Sequence, residues 1–295
     1  MKDIISIIFR LTLSCIVAGL IMGGTFIFTD RAKKANEHAR EEKVMYSLLG
    51  HDEGGEDPES MAMHELFRYI VTDGEEQFIG YLLPLSTGFE FITIGLDGSF
   101  VSRVPVQLSE TQVLESGERD TAIAAALGPT KTIRFADQTL VVTDDGERSA
   151  FLLSGKFPGY KTSIAIILAL APDFSIIGFE VMEHEEDPGL GADIERDFFR
   201  RQFENKSFES IKALRTIKEP LPQEYFDALE GRIAEEEAAA AIMEKYRLQD
   251  IYALTGATIS TDAVVMGIKA MTKKFAYRIE TLDAVLADQQ IAASF

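Results

Sequence analysis

Thr255-Gly256-Ala257-Thr258-Ile259-Ser260-Thr261 lies between two helical patterns, and the architecture of the C-terminal half follows from what this turn holds in place. Gly256 and Ala257 leave the peptide bare on one side, so a planar group or a phosphate can come close to the chain. Beyond the turn, Val264, Val265, Ile268, Met271 and Phe275 recur at helical spacing, which predicts a helix from Thr261 to about Ala287 with one buried face. Ser260 or Thr261 is placed to cap that helix, and Asp262 suits its first turn. A phosphate near Thr258 would meet the unpaired N–H groups and partial positive charge of the helix entrance. An ordinary capped helix after a turn accounts for the same residues, so both readings stay open here.

Upstream, His184-Glu185-Glu186-Asp187-Pro188-Gly189-Leu190-Gly191 follows a predicted strand and precedes a predicted helix. Pro188-Gly189 favours a tight turn, and Gly191 permits a second unusual backbone angle. Leu190, isolated between two glycines, projects as a lone apolar contact. A polar turn with an ordinary leucine explains the segment equally well. His184 alone reads as a hydrogen-bonded structural histidine.

The rest of this half alternates strands and helices. Ile164–Leu170 is a buried strand closed by Pro172-Asp173, and Ser175–Met182 is its hairpin partner. Asp193–Phe203 reads as a charged helix, and a long Ala- and Glu-rich helix is expected over Glu224–Tyr246. Between about 60 and 150, the segments starting at Phe91 and Thr139 read as strands ending in Asp-Gly turns, and Ser109–Leu127 as a helix. The fold class is therefore α+β, antiparallel strands backed by helices.

At the other end, Leu11–Thr29 is an uncharged run of 19 residues, long enough at about 1.5 Å per residue to cross the hydrocarbon core of a bilayer. No A-x-A cleavage site follows it, and the apolar run continues past Cys15, so an uncleaved anchor is expected. Gly19 and Gly23 form a small-xxx-small pair suited to helix contact. Asp30–Leu49 reads as a polar helical stalk, and His51–Glu59 as a linker. Lys2 and Arg10 precede the span while Arg31, Lys33, Lys34, Arg40 and Lys43 follow it, so the count of positive charges leaves the large domain in the cytoplasm.

Composition narrows the function further. Against 29 basic residues stand 48 acidic ones, for a net charge of −19, which argues against a nucleic-acid partner. Such acidity serves a solvated surface, or a face that docks a positively charged redox partner. Cys15 is the one cysteine, so no internal disulfide or cysteine metal site exists. His38, His51, His64 and His184 never fall at the i, i+4 spacing of a zinc helix, so no metal site is expected.

Taken together, in this order and spacing, His184–Gly191 and Thr255–Thr258 resemble the FMN-binding domain of the G subunit of Rnf electron-transport complexes. They are also similar to the C subunit of the sodium-pumping NADH:quinone oxidoreductase. In that family a stretch like His-Lys-Glu-Thr-Pro-Gly-Leu-Gly precedes Ser-Gly-Ala-Thr, and the N-terminal anchor has the same place. The resemblance implies FMN held covalently, by a phosphoester to Thr258, in an electron-carrier subunit that is not catalytic alone. It further implies cofactor contacts from Thr255, Gly256, Ala257, Ser260, Thr261, Glu186, Gly189 and Leu190. Ser260 and Thr261 are candidates for the phosphate, Gly189 and Leu190 for the flavin, and Glu186 with Asp187 for lowering its potential. The implied partners are the membrane, other subunits of an Rnf-like ion-translocating complex and a flavin transferase. The implied location is the cytoplasmic (inner) membrane, single-pass, with the C-terminal domain on the periplasmic or outer side, against the charge count. This sequence departs from the pattern at Asp187, where threonine is usual, and at Tyr252, where the flavin-transfer motif has aspartate.

The expected organisation is an anchor over 1–30, a stalk and linker over 31–59, an additional α+β unit over 60–154 and the FMN-binding domain over 155–288. Two other functions fit the same sequence: a flavin-binding membrane regulator or sensor, and a cofactor-free anchored interaction domain.

Overall fold

The structure, a computed structural model, describes residues 2–51 and 60–295. The expected linker lies, from residue 52 onward, outside the described residues. One helix, α1 (Lys2–Leu48), covers both the expected span and the stalk without a break at Asp30. Its stretch Phe9–Phe26 is long and apolar enough to cross a membrane, and none of it is buried against the rest of the protein.

Eight strands follow in a single sheet: β1 (Met61–Asp73), β2 (Glu76–Leu85), β3 (Gly88–Ile94), β4 (Phe100–Val106), β5 (Lys131–Asp144), β6 (Glu147–Pro158), β7 (Ser163–Leu170) and β8 (Ile176–Glu183). Their spatial order is β4-β3-β2-β1-β5-β6-β7-β8, with every neighbouring pair antiparallel. The predicted 164–182 hairpin is present as β7 and β8. The expected boundary at Gly155 falls inside β6, which pairs with β5 through Glu147–Leu153 and with β7 through Phe151–Pro158. The sheet therefore runs from one expected unit into the other without interruption.

Period-2 alternation distributes this sheet's apolar residues to both faces. Leu66, Leu83, Ile92, Phe151 and Leu168 point to one face, where the long C-terminal helix α8 (Thr258–Asp288) lays Val264, Ile268, Phe275, Ile279 and Leu282 against them. Their neighbours Phe67, Leu82 and Phe91 point the other way, onto Val113 of α2 (Glu110–Leu114) and Ile123 of α3 (Ser116–Leu127). Further along that second face, Val142, Leu152 and Ala169 meet Met45 and Leu48 at the end of α1. The stalk is thus packed onto the sheet at its C-terminal end.

Three helices differ from the sequence reading. Glu115 is extended at φ −80°, ψ 108° and divides the expected 109–127 helix, with Ser109 and Gln112 forming a reciprocal capping box on α2. The expected 193–203 helix is a 3₁₀ turn (Gly191–Glu195) followed by the short α4 (Asp197–Arg200), with Arg196 extended between them. The expected 224–246 helix is two, α6 (Gln223–Leu229) and α7 (Glu236–Arg247). Gly231 at φ +67° ends the first, since left-handed backbone stops a helix. α5 (Phe208–Ala213) and the short parallel pair β9 (Thr216–Ile217) and β10 (Ile251–Tyr252) complete the chain.

Gly267 shows how closely α8 approaches the sheet. A Cβ there would lie 2.4–2.5 Å from ring carbons of Phe157 on β6. Overpacking of this kind costs about 1–3 kcal/mol. Gly267→Val is therefore expected to lower the thermal unfolding midpoint by several degrees in a melt of the detergent-solubilised protein, despite valine's better helix propensity.

Candidate functional site

β8 ends at Glu183, and the chain turns through Gly189, at φ +73°, before winding into the Gly191–Glu195 turn. The Asp187 carbonyl accepts the N–H groups of Leu190 at 3.1 Å and Ala192 at 3.0 Å, which shapes this loop. Within it, Glu186 turns inward and is only 4% exposed. Its Oε1 accepts the N–H groups of Tyr160 at 2.8 Å and Lys161 at 3.2 Å, and its Oε2 accepts the hydroxyl of Ser260. A buried carboxylate needs such donors, because losing water uncompensated costs several kcal/mol.

Two glycines make room for this carboxylate. A Cβ on Gly159 would sit 2.6 Å from Oε1, and one on Gly191 would sit 2.7 Å from Oε2 and 2.6 Å from the Ser260 oxygen. His184 supports the same loop: its Nδ1 accepts the Glu186 N–H at 3.0 Å, which puts the proton on Nε2, 2.9 Å from Glu195. His184 is thus the hydrogen-bonded structural residue expected.

The second motif enters α8. Gly256 is left-handed at φ +77°, and Ala257 occupies the N-cap position. The helix starts at Thr258, three residues earlier than expected. That places Ser260 and Thr261 inside its first turn, 2% and 0% exposed, instead of at its cap. Thr261 closes the turn: its hydroxyl donates to the Ala257 carbonyl at 3.1 Å and accepts the Leu254 N–H at 3.1 Å. Both hydroxyls expected to face a phosphate are thus engaged internally. Thr258 itself is half-buried, and its hydroxyl makes no hydrogen bond among the described residues.

The two motifs meet. Ser260 reaches Glu186, and a Cβ on Gly256 would lie 3.0 Å from Leu190 Cδ2. Leu190 remains 44% exposed although apolar. Thr255, Gly256, Gly189 and Leu190 are all open to solvent on one surface beside Thr258. At its rim Lys161 pairs with Asp187, so the extra negative charge at that position is locally offset. The same contact raises the Lys161 pKa.

The support beneath this surface was not legible in the sequence. The buried Gln202 accepts the Tyr252 N–H through Oε1 at 2.8 Å, and the Tyr252 hydroxyl donates to Gln249 at 2.7 Å. Asp250 accepts the Arg215 N–H at 3.0 Å. Lys206, 2% exposed, donates to the carbonyls of Arg247 at 2.7 Å and Gln249 at 2.6 Å, closing the C-terminus of α7. Burial pushes its pKa down to about 8. Gln202 and Lys206 sit in a run of charged and polar residues that looks like a solvated helix face, and no local signal marks them as buried. Gln202→Leu orphans the Tyr252 N–H at the start of the approach to Thr258. It should destabilise the domain by about 1–3 kcal/mol, read as a lower urea midpoint.

Comparison with known proteins bears on this surface. The FMN-binding domain family profile matches residues 159–273. The G subunit of the proton-translocating ferredoxin:NAD(+) oxidoreductase complex of Clostridium ljungdahlii is 29% identical over 120 residues, 41% of this chain and 50% of that protein. The G subunit of the ion-translocating oxidoreductase complex of Pasteurella multocida is 33% identical over 60 residues, 20% of this chain and 30% of that one. The chain thus spans half or less of the length of these relatives. Among solved structures, Shewanella oneidensis NqrC aligns over 80% of this chain and 91% of its own, at 18% identity and a TM-score of 0.45. Both motifs of the surface, Glu186–Gly191 and Thr255–Thr261, fall inside the stretch that matches the FMN-binding domain family.

Proposed function

We propose that this chain is a membrane-anchored electron-transfer subunit of an Rnf-type ion-translocating oxidoreductase complex, with FMN esterified through its phosphate to Thr258. The observation that carries the reading is the meeting of the two motifs around a threonine hydroxyl that has no other partner among the described residues. The residues fit the group. Thr258 opens a helix of 31 residues, whose first N–H groups have no intrahelical acceptor and favour a phosphate. Gly256 and Gly189 present no side chain, and the exposed Leu190 offers an apolar surface for a flat ring.

When bound, the flavin ring supplies the redox chemistry, and the protein supplies placement and shielding. Thr255 and Gly256 leave the approach to Thr258 open, while Ala257 is buried in the core beneath it. Glu186, Ser260 and Thr261 act beneath, fixing the helix entrance on which Thr258 stands. Gly189 and Leu190 hold the ring side. The relatives are named as subunits of proton- and ion-translocating oxidoreductase complexes, and the unburied apolar stretch of α1 supplies the anchor. We place the sheet and α8 on the periplasmic or outer side of the membrane, where a flavin transferase acts on Thr258.

Two measurements test this reading. The chain, expressed with the other subunits of its host's complex and a flavin transferase, should give a band fluorescent under ultraviolet light on a denaturing gel. A colourless native protein would overturn the flavin reading, and a yellow native protein with a dark band would overturn the ester. A C-terminal reporter active only in the cytoplasm should be silent; activity would reverse the orientation.

A further inference from the structure

A cavity separate from the exposed surface at Thr258 lies between the sheet and the middle of α8, where the two expected units join. It has a volume of about 320 Å³. Its floor is the face of β1, β2, β5 and β6, and its roof is the middle of α8. Leu66, Leu153, Met271 and Phe275 give it apolar walls, while Arg68, Arg278, Lys156 and Lys274 bring four cations to it. Among the lining residues one, Asp137, is a carboxylate. Asp137 accepts Arg68 Nε at 2.8 Å, and also Arg68 Nη2 and Arg278 Nη1, the last at 3.1 Å. Each guanidinium carries five N–H donors, so both retain donors beyond those given to Asp137. Lys156 pairs with Glu183 at 3.3 Å, whereas Lys274 has no carboxylate partner among the described residues. In a chain of net charge −19 this concentration of positive charge is a local inversion.

Two further features single the cavity out. Tyr81 lines it, is 5% exposed, and its hydroxyl makes no hydrogen bond among the described residues. The ring is buried, but the oxygen is not sealed off and is open to a group in the cavity. Burial pushes its pKa up to about 12 despite the nearby Arg68 and Arg278, so at neutral pH it is a donor. The β1–β5 ladder also shifts register here: Arg68 stands opposite Asp137 but Tyr69 opposite Phe135, which leaves Ala136 as an extra residue on the cavity wall. Bulges of this kind redirect side chains and gather next to binding sites.

We propose that this cavity binds a small organic anion, a carboxylate or phosphate head on a compact apolar body. The head is taken by Tyr81, Lys274 and the free N–H groups of Arg68 and Arg278, and the body by the Leu66, Leu153 and Met271 wall. Size is consistent, since a cavity of about 150 Å³ already holds benzene. Asp137 holds the two arginines in register. This site is independent of the flavin reading, and its test uses no flavin signal.

The test is titration calorimetry of the full chain in neutral detergent, with benzoate, phenyl phosphate, inorganic phosphate and benzyl alcohol as probes. One of the two aromatic anions should bind at a single site, and which one binds tells carboxylate from phosphate. Inorganic phosphate and benzyl alcohol should each bind at least about tenfold more weakly, since one lacks the body and the other the charge. Lys274→Gln should weaken binding about tenfold and Tyr81→Phe about fivefold, without loss of thermal stability, because neither side chain closes an ion pair. Absence of binding by both anions, equal binding of benzyl alcohol, or affinities unchanged in both variants would each overturn the site.

Discussion

Glu186→Ala should destabilise the domain by about 2–4 kcal/mol, while Glu186→Gln should cost less than about 1.5 kcal/mol. The carboxylate is the shared acceptor for two backbone N–H groups and one hydroxyl, and through them it ties the 184–191 loop to the entrance of α8. Alanine orphans all three donors in a site that is nearly closed to water. Glutamine keeps an oxygen toward Tyr160 and Lys161, and its amide can donate to the Ser260 oxygen, whose hydroxyl then turns away. Urea unfolding of the three proteins measures both differences. Flavin content should follow the same order, falling in the alanine variant and persisting in the glutamine variant. Equal damage in both would mean that the negative charge itself is required, against a positioning role for Glu186.

Thr258→Val should abolish denaturation-resistant flavin fluorescence altogether and leave stability within about 0.5 kcal/mol of the parent protein. Valine matches threonine in shape and is likewise β-branched, so the helix entrance is preserved. The hydroxyl it removes bonds nothing among the described residues, so no internal donor or acceptor is stranded. Thr258→Ser keeps a hydroxyl at the same place, primary instead of secondary, and should keep a fluorescent band. Fluorescence surviving in the valine variant would move the ester to another residue, Thr255 being the nearest exposed hydroxyl in the motif.

What can be read from the sequence is set by how local the physics is. The 164–182 hairpin, the start of the glycine turn and the apolar stripe of α8 depend on residues within one or two turns of each other, and they appear as expected. The helix breaks at Glu115, Arg196 and 230–235 depend on where the flanking pieces pack, which a run of good helix formers conceals. Glu186 stands beside the cofactor in the sequence only through the family resemblance, and no local signal marks it as buried, since acidic residues are ordinarily exposed. Its burial depends on Gly159 and Gly191, one of them 27 residues away, leaving space for it. Ser260 and Thr261 read as phosphate contacts because a helix starting at Thr261 would leave their hydroxyls at its tip. Starting at Thr258 rotates them inward. The continuity of the sheet through Gly155 is non-local as well, since it follows from β6 pairing on both sides.

The measurement that bears most directly on flavin attachment is mass analysis of the tryptic peptide Leu248–Lys269, taken from protein purified out of flavinylating membranes. The expected peptide is heavier by one FMN less one water, with fragment ions placing the addition on Thr258. Recovery of that peptide wholly unmodified, from protein whose membranes carry a working flavin transferase, would contradict a phosphoester at this residue.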